Sequence, residues 1–280
     1  MKRVLLLVLS AGCSRPADPE VATREFIDSR GKAVRIVYPP RRIVSIIPST
    51  TELLYAVGAG DQIAGVTTWC DWPPEAKERP KVGDIVVDYE RLATLKPDVV
   101  VTYWSQTKKT SADIESKGIP LYSVEPHSFE EIVRALRMLG QMTGHEARGE
   151  KAASDLEARV KAVVAEAGPT VYFEHSPEPL GTTGPDTYTG DALRRAGGRN
   201  IFEGGWHLID WEAVMKRDPE VILITHDRKE GLERRAGWAN LRAVKNRRVY
   251  FVAKDNYLYP TPRLVNGLEE AARIFREKNP

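Results

Sequence analysis

Cysteine is scarce in this 280-residue chain, with Cys13 and Cys70 the only two. A disulfide framework is therefore excluded as the basis of the fold if Cys13 serves another purpose. No apolar run approaches the roughly 20 residues needed to span a bilayer. Charge of one sign is also lacking: 41 Lys and Arg against 39 Asp and Glu leave a net charge of +2, and no long basic run is present, which argues against nucleic acid as a partner. There is no Gly-x-Ser-x-Gly elbow, no Walker loop, no His-Glu-x-x-His and no paired His/Cys spacing of a structural zinc site. Gly58-Ala59-Gly60 lacks the rest of a dinucleotide fingerprint. What remains is ordinary globular composition, 42% hydrophobic and 29% charged, enough for one large or two medium domains.

What is present in its place is a segment that occurs twice. Asp88-Tyr89-Glu90-Arg91-Leu92, then Pro97-Asp98-Val99-Val100-Val101, is echoed by Asp210-Trp211-Glu212-Ala213-Val214, then Pro219-Glu220-Val221-Ile222-Leu223. Each copy reads as a short helix capped by Asp, with Glu in its first turn, ending before Pro and feeding a buried parallel strand. Two such copies predict two similar halves, each with a glutamate at the equivalent place. Compensation of the helix dipole on a solvated face would account for either Glu alone; a matched pair also suits a two-fold symmetric partner.

The N-terminus reads as an export signal. Lys2 and Arg3 precede the apolar run Val4 to Leu9, followed by Ser10-Ala11-Gly12-Cys13, a charged region, an apolar region and small residues before a cysteine. This resembles a bacterial lipoprotein signal, with Ser10 a departure where that motif has a Leu-like residue. It implies lipidation of Cys13, removal of what precedes it, and a tether over 14–22 between membrane and domain.

A hairpin is expected from Arg24–Asp28, a Ser29-Arg30-Gly31-Lys32 turn and Ala33–Val37. Strands and helices then alternate: Ile43–Ile47, a helix at 50–57, Ile63–Thr67, the first repeat helix, Val99–Thr102, helix 108–117, Leu121–Val124 and helix 129–142. Alternation resumes with Val171–Glu174, helix 187–196, the second repeat helix, Val221–Thr225, Arg248–Val252 and a final helix at 262–278. Between them, residues from about Gly144 to Ala167 are rich in Ala, Glu, Lys and Arg, with Ala152, Leu156, Val160 and Val163 at helical spacing. That predicts a helix of roughly 30 Å. The fold expected is α/β: two Rossmann-like lobes (23–142 and 169–280) with mainly parallel sheets, joined by one long rigid helix (143–168).

At this point the residues resemble a known family, the solute-binding lipoproteins of ABC importers for cobalamin, ferric siderophores and haem. The resemblance runs from about Arg41 to Phe275. It is carried by Arg42-Ile43-Val44-Ser45-Ile46-Ile47-Pro48-Ser49-Thr50-Thr51-Glu52, Gly65-Val66-Thr67-Thr68-Trp69-Cys70-Asp71-Trp72-Pro73-Pro74-Glu75-Ala76, Pro80-Lys81-Val82-Gly83, Leu95-Lys96-Pro97-Asp98 and Gly197-Gly198-Arg199-Asn200-Ile201-Phe202. The Asp-Trp-Pro-Pro segment leans toward the cobalamin branch. The resemblance implies an extracytoplasmic, lipid-anchored monomer that holds a cobalt corrinoid between its lobes, or otherwise haem or an iron siderophore, and uses no catalytic cofactor. Its partners would be an ABC permease dimer with ATPase subunits, docked through Glu90 and Glu212.

The ligand site is expected between the lobes, at the carboxyl ends of strands. Trp69, Trp72, Tyr103, Trp104, Phe173, Trp206 and Tyr257 fall in such loops, and flat rings suit a large, planar, partly apolar ligand. By family position Trp69, Trp72, Trp206 and Tyr257 lead, and Arg263 matches an arginine able to meet an amide or carboxylate. Of five histidines (127, 145, 175, 207, 226), His175 and His207 sit where an imidazole could reach a cobalt or iron. Cys70, with no neighbouring ligands, reads as a small apolar group. Two other classes fit parts of the sequence: an extracytoplasmic α/β enzyme, for which Gly181-Thr182-Thr183-Gly184 could bind an anion through backbone N–H groups although a turn opening a helix needs no such role, and a surface adhesin or sensor that would have no need of Glu90 and Glu212.

Overall fold

The computed structural model describes residues 22–84, 86–228 and 231–277. The leader, Cys13 and the tether up to residue 21 lie outside the described residues. No helix among the described residues is long and apolar enough to cross a membrane.

The chain opens with an antiparallel hairpin, β1 (Thr23–Ile27) and β2 (Ala33–Val37), in the register expected from alternation, Thr23 opposite Val37 and Ile27 opposite Ala33. The Asp28 carboxylate accepts from the Arg30 and Lys32 amides at 2.8 and 3.1 Å, and Gly31 takes φ +74° to complete the turn. Val34 and Ile36 point inward against the first lobe.

That lobe contains β3 (Ile43–Ser45), α1 (Pro48–Ala56), β4 (Ile63–Val66), α2 (Tyr89–Leu95), β5 (Val99–Thr102), α3 (Lys108–Ser116), β6 (Leu121–Ser123) and α4 (Phe129–Thr143). Its sheet is wholly parallel in the order β4-β3-β5-β6. After α5 (Glu146–Ala162), the second lobe contains β7 (Thr170–Pro177), β8 (Leu180–Thr183), α6 (Tyr188–Arg195), β9 (Arg199–Asn200), β10 (Trp206–Leu208), α7 (Trp211–Arg217), β11 (Val221–Ile224), α8 (Arg242–Lys245), β12 (Val249–Phe251) and α9 (Leu264–Arg276). The parallel strands β9, β7, β11 and β12 repeat the order of the first sheet. Strands such as Val221–Ile224 are buried on both faces, which is why they read as unbroken apolar runs.

Two features depart from expectation. Gly181–Thr183 is not a turn but part of β8, antiparallel to β7, with β10 antiparallel to β8 in turn. The Gly pair suggested a turn, but a Cβ on Gly181 would sit 2.5 Å from the His175 ring, so the glycine serves close approach across a strand pair. The connecting helix is also shorter than expected. It spans 17 residues and ends at Ala162, about 25 Å at 1.5 Å per residue. The reason is packing: α5 lies along α4 through a backbone crossing where a Cβ on Gly140 would stand 2.9 Å from the Gly149 Cα. Beyond Val163, which still packs against the core, Val164 is 80% exposed.

The connection is accordingly not a lone strut. One apolar core runs from Ile43, Leu53 and Val99 of the first lobe through Phe129, Leu136 and Leu156 to Phe173, Tyr257 and Leu268 of the second. Asp191 on α6 accepts from the Phe129 amide at the start of α4 at 3.0 Å, and Arg195 pairs with Glu130.

Candidate ligand cleft and docking faces

The best-defined contact between the lobes lies where strand ends converge. Arg263, at the start of α9, reaches Glu52 on α1. Its Nε donates to Oε2 at 2.9 Å and its Nη2 donates to Oε1. Planar guanidinium and carboxylate match in this two-point geometry. Glu52 has a side chain only 5% exposed. Burial pushes its carboxyl up and the Arg263 contacts pull it back. Asp255 stands 3.6 Å from Nη1, and the guanidinium carbon lies 4.7 Å from the Trp72 ring centre and 5.8 Å from that of Tyr259. Trp72 and Glu52 come from the first lobe and Arg263 and Tyr259 from the second, so this cluster bridges them. Around it is a cavity of about 250 Å³ bounded by Tyr55, Trp72, Pro73 and Pro262. A larger concavity, about 850 Å³, lies between the β1–β2 hairpin and α4. None of the aromatic candidates lines it, so size alone does not identify the ligand site.

A second wall is built by His175 on β7, Trp206 on β10 and Tyr188 on α6. The Trp206 ring centre is 5.0 Å from His175, edge-on, and 5.6 Å from Tyr188. Tyr188 is fixed by its hydroxyl, which donates to the Leu258 carbonyl at 2.9 Å. Burial pushes the His175 pKa below its ordinary value, so the imidazole is neutral near pH 7 and keeps a lone pair. A depressed imidazole pKa contributes stability that is complete above about pH 6.5 and lost as pH falls toward the folded value. We expect His175→Gln to flatten that acid limb of a stability-versus-pH series; an unchanged slope would contradict the burial argument.

The structure sorts the remaining candidates. Trp69, Trp72 and Trp206 are 60%, 44% and 39% exposed, a large area of ring open to a ligand. Trp104 is half-buried, with the Lys108 ammonium 5.2 Å from its ring. Tyr103 is buried, edge-on to His127. Phe173 and Tyr257 are corrected: both are fully buried, with rings 5.7 Å apart in the shared core, and the Tyr257 hydroxyl donates to Gly267 O at 2.9 Å. Phe173 lies inside β7 and not at its end, Tyr257 lies beyond β12, and α6 and α9 cover the core both rings enter. His207 is corrected as well. Adjacent residues on β10 point to opposite faces, so with Trp206 on the cleft side His207 turns outward, edge-on to Phe202 at 5.7 Å, its Nδ1 2.9 Å from Gly205 O. Cys70 packs in the core with Sγ 3.2 Å from the Thr67 hydroxyl, and burial pushes its thiol up.

Sequence reasoning missed Glu52, Tyr188 and a network on the outer face of β7. Glu174, fully buried, accepts from both Arg235 nitrogens at 2.7 Å, lies 2.7 Å from His226 Nε2, and accepts from the Tyr172 hydroxyl at 3.0 Å. Arg235 lies 5.0 Å from the Trp211 ring, whose Nε1 donates to Ala236 O at 2.8 Å. His226 and Arg235 are 52 and 61 residues from Glu174, so no local spacing betrays them.

Trp211 begins the second repeat helix, and the two copies are alike in three dimensions. α2 and α7 are each seven residues long and each ends on a left-handed residue, Lys96 at φ 45° and Asp218 at φ 43°. Each hands over through proline to a strand at the same place in its sheet, β5 or β11. Asp88 caps α2 by accepting from the Glu90 and Arg91 amides at 3.0 Å, whereas Asp210 makes no side-chain cap. Each first aromatic is anchored, Tyr89 through its hydroxyl to Asp113 at 3.0 Å and Trp211 as above. Glu90 and Glu212 are exposed. Among the described residues neither carboxylate has an ion-pair partner.

The two α/β lobes share one core, and Trp72 of the first lobe meets Arg263 of the second at the cavity between them. The chain belongs to the periplasmic binding protein family, which it matches over residues 43–255. It is 34% identical over 294 residues to the uncharacterized ABC transporter substrate-binding lipoprotein YvrC of Bacillus subtilis (strain 168), covering 96% of this chain and 93% of that one. It is 28% identical over 247 residues to the vitamin B12-binding protein of Vibrio parahaemolyticus, covering 85% and 90%. Its fold superimposes on the periplasmic vitamin B12-binding protein BtuF of Vibrio cholerae with a TM-score of 0.76 at 25% identity, covering 85% of this chain and 97% of that one. The protein is thus a substrate-binding component of ABC transport and not an enzyme.

Proposed function

We propose that this protein captures a corrinoid between its lobes, outside the cytoplasm and anchored through Cys13, and delivers it to an ABC permease that docks on Glu90 and Glu212. The observation that carries this reading is the pair of exposed tryptophans, Trp72 and Trp206, one from each lobe beside Arg263 and His175. Aromatic rings bury 150–250 Å² each at small cost in entropy, which suits a broad, flat ligand held from both sides. Similarity to vitamin B12-binding proteins supports the same ligand class. Haem or a ferric siderophore is the second reading, since one scaffold can change ligand through its cleft side chains.

Titration of the chain lacking residues 1–13 with aquocobalamin tests it, following tryptophan fluorescence and the corrin absorption bands together. Saturable quenching at micromolar or tighter affinity is expected, and a shifted corrin band would mark His175 as an axial ligand. Absence of saturable binding would overturn the corrinoid reading in favour of haem or a ferric siderophore.

A further inference from the structure

We infer that the cleft discriminates by charge, accepting uncharged or cationic chelates and rejecting polyanionic ones, because its arginine is already neutralised by carboxylates of the protein itself. The inference rests on the reading that the space between the lobes is the capture site, and it goes beyond that reading by stating which ligand chemistry the site excludes.

The Arg263 guanidinium is the group an anionic chelate would seek, and its side chain is only 19% exposed. Nε and Nη2 serve Glu52, Nη1 stands 3.6 Å from Asp255, and the planar faces meet Trp72 and Tyr259. To take the two-point Nε–Nη2 edge, an incoming carboxylate or catecholate would have to displace Glu52, whose side chain is 5% exposed. That would leave a buried carboxylate with no counter-charge, the costly half of breaking a buried ion pair. The surrounding field points the same way. Asp255, Asp71 and Glu52 all act on the Tyr259 hydroxyl to hold its proton on, with burial the larger cause, and Arg263 opposes them. Around the Tyr259 ring, three carboxylates thus act against one guanidinium.

A corrinoid periphery is rich in primary amides, whose N–H groups donate to carboxylates and whose oxygens accept from a guanidinium edge. Such a ligand can add to the Glu52–Arg263 pair without breaking it. Haem brings two propionates and a ferric tris-catecholate is trianionic, so both would enter against the field.

The test uses the chain from residue 14 onward and two probes, neutral cyanocobalamin and a soluble trianionic ferric tris-catecholate. In Glu52→Gln, which retains shape but frees Arg263, the affinity ratio of tris-catecholate to cyanocobalamin should rise at least about ten-fold over wild type, 1.4 kcal/mol by conversion. A second measurement needs no variant. Raising salt from about 0.01 M to about 1 M shortens the Debye length from about 30 Å to about 3 Å, so a repelled trianion should bind wild type better at high salt. An unchanged ratio in folded Glu52→Gln, or tris-catecholate affinity that falls with salt, overturns the charge inference. If cyanocobalamin fails to bind while tris-catecholate affinity rises with salt and in Glu52→Gln, the corrinoid reading falls and the charge inference stands. Cyanocobalamin binding with an unchanged ratio gives the reverse.

Discussion

Cells expressing the Glu90→Ala, Glu212→Ala double variant are expected to lose uptake by about ten-fold or more, while the purified variant binds its ligand as wild type does. The two carboxylates project from the first turns of α2 and α7, helices that occupy equivalent places in the two lobes. Neither has an ion-pair partner among the described residues, which leaves both carboxylates open to a partner. Their helices are held by the Tyr89 and Trp211 anchors, so the spacing between the two charges is set by rigid elements. Charge at the rim of an interface acts mainly on encounter and orientation, and two points define an orientation where one does not. Single variants should therefore fall between wild type and the double variant. Normal uptake by a double variant present at normal abundance would remove the docking role from these residues.

Glu174→Ala is expected to be the most destabilising of the substitutions considered, by about 3–5 kcal/mol, because it strips the counter-charge from a buried guanidinium. Thermal unfolding should drop by about 10 °C. The side chains of Arg235 and His226 are 17% and 11% exposed, and neither has water enough to replace the lost contacts. Glu174→Gln, which preserves size and one acceptor, should cost less. The damage should spread to α7, since Arg235 stacks on Trp211, and amide exchange in Trp211–Arg217 should accelerate ahead of exchange in β5. A melting point within about 2 °C of wild type would show that the network contributes little.

The sequence by itself determined the two-lobed α/β plan. Strands such as Val99–Thr102 and Val221–Ile224 announce themselves because a strand covered on both faces must be apolar throughout, and the paired helices ahead of them because proline stops are short-range chemistry. Glu90 and Glu212 were legible for the same reason, as equivalent positions in a local pattern written twice. Only the tertiary structure decided where side chains turn and which of them meet. Phe173 sits inside β7 and Tyr257 lies beyond β12, and both enter the core, whereas Trp206 on β10 is left 39% exposed. α5 stops at Ala162, where Val163 turns to extended backbone, although the composition favouring helix continues. The cleft's central contact joins Glu52 to Arg263 across 211 residues, and Glu174 finds Arg235 across 61. Charge pairs of that separation leave no mark on neighbouring sequence, since their geometry exists only once two lobes have closed around one core.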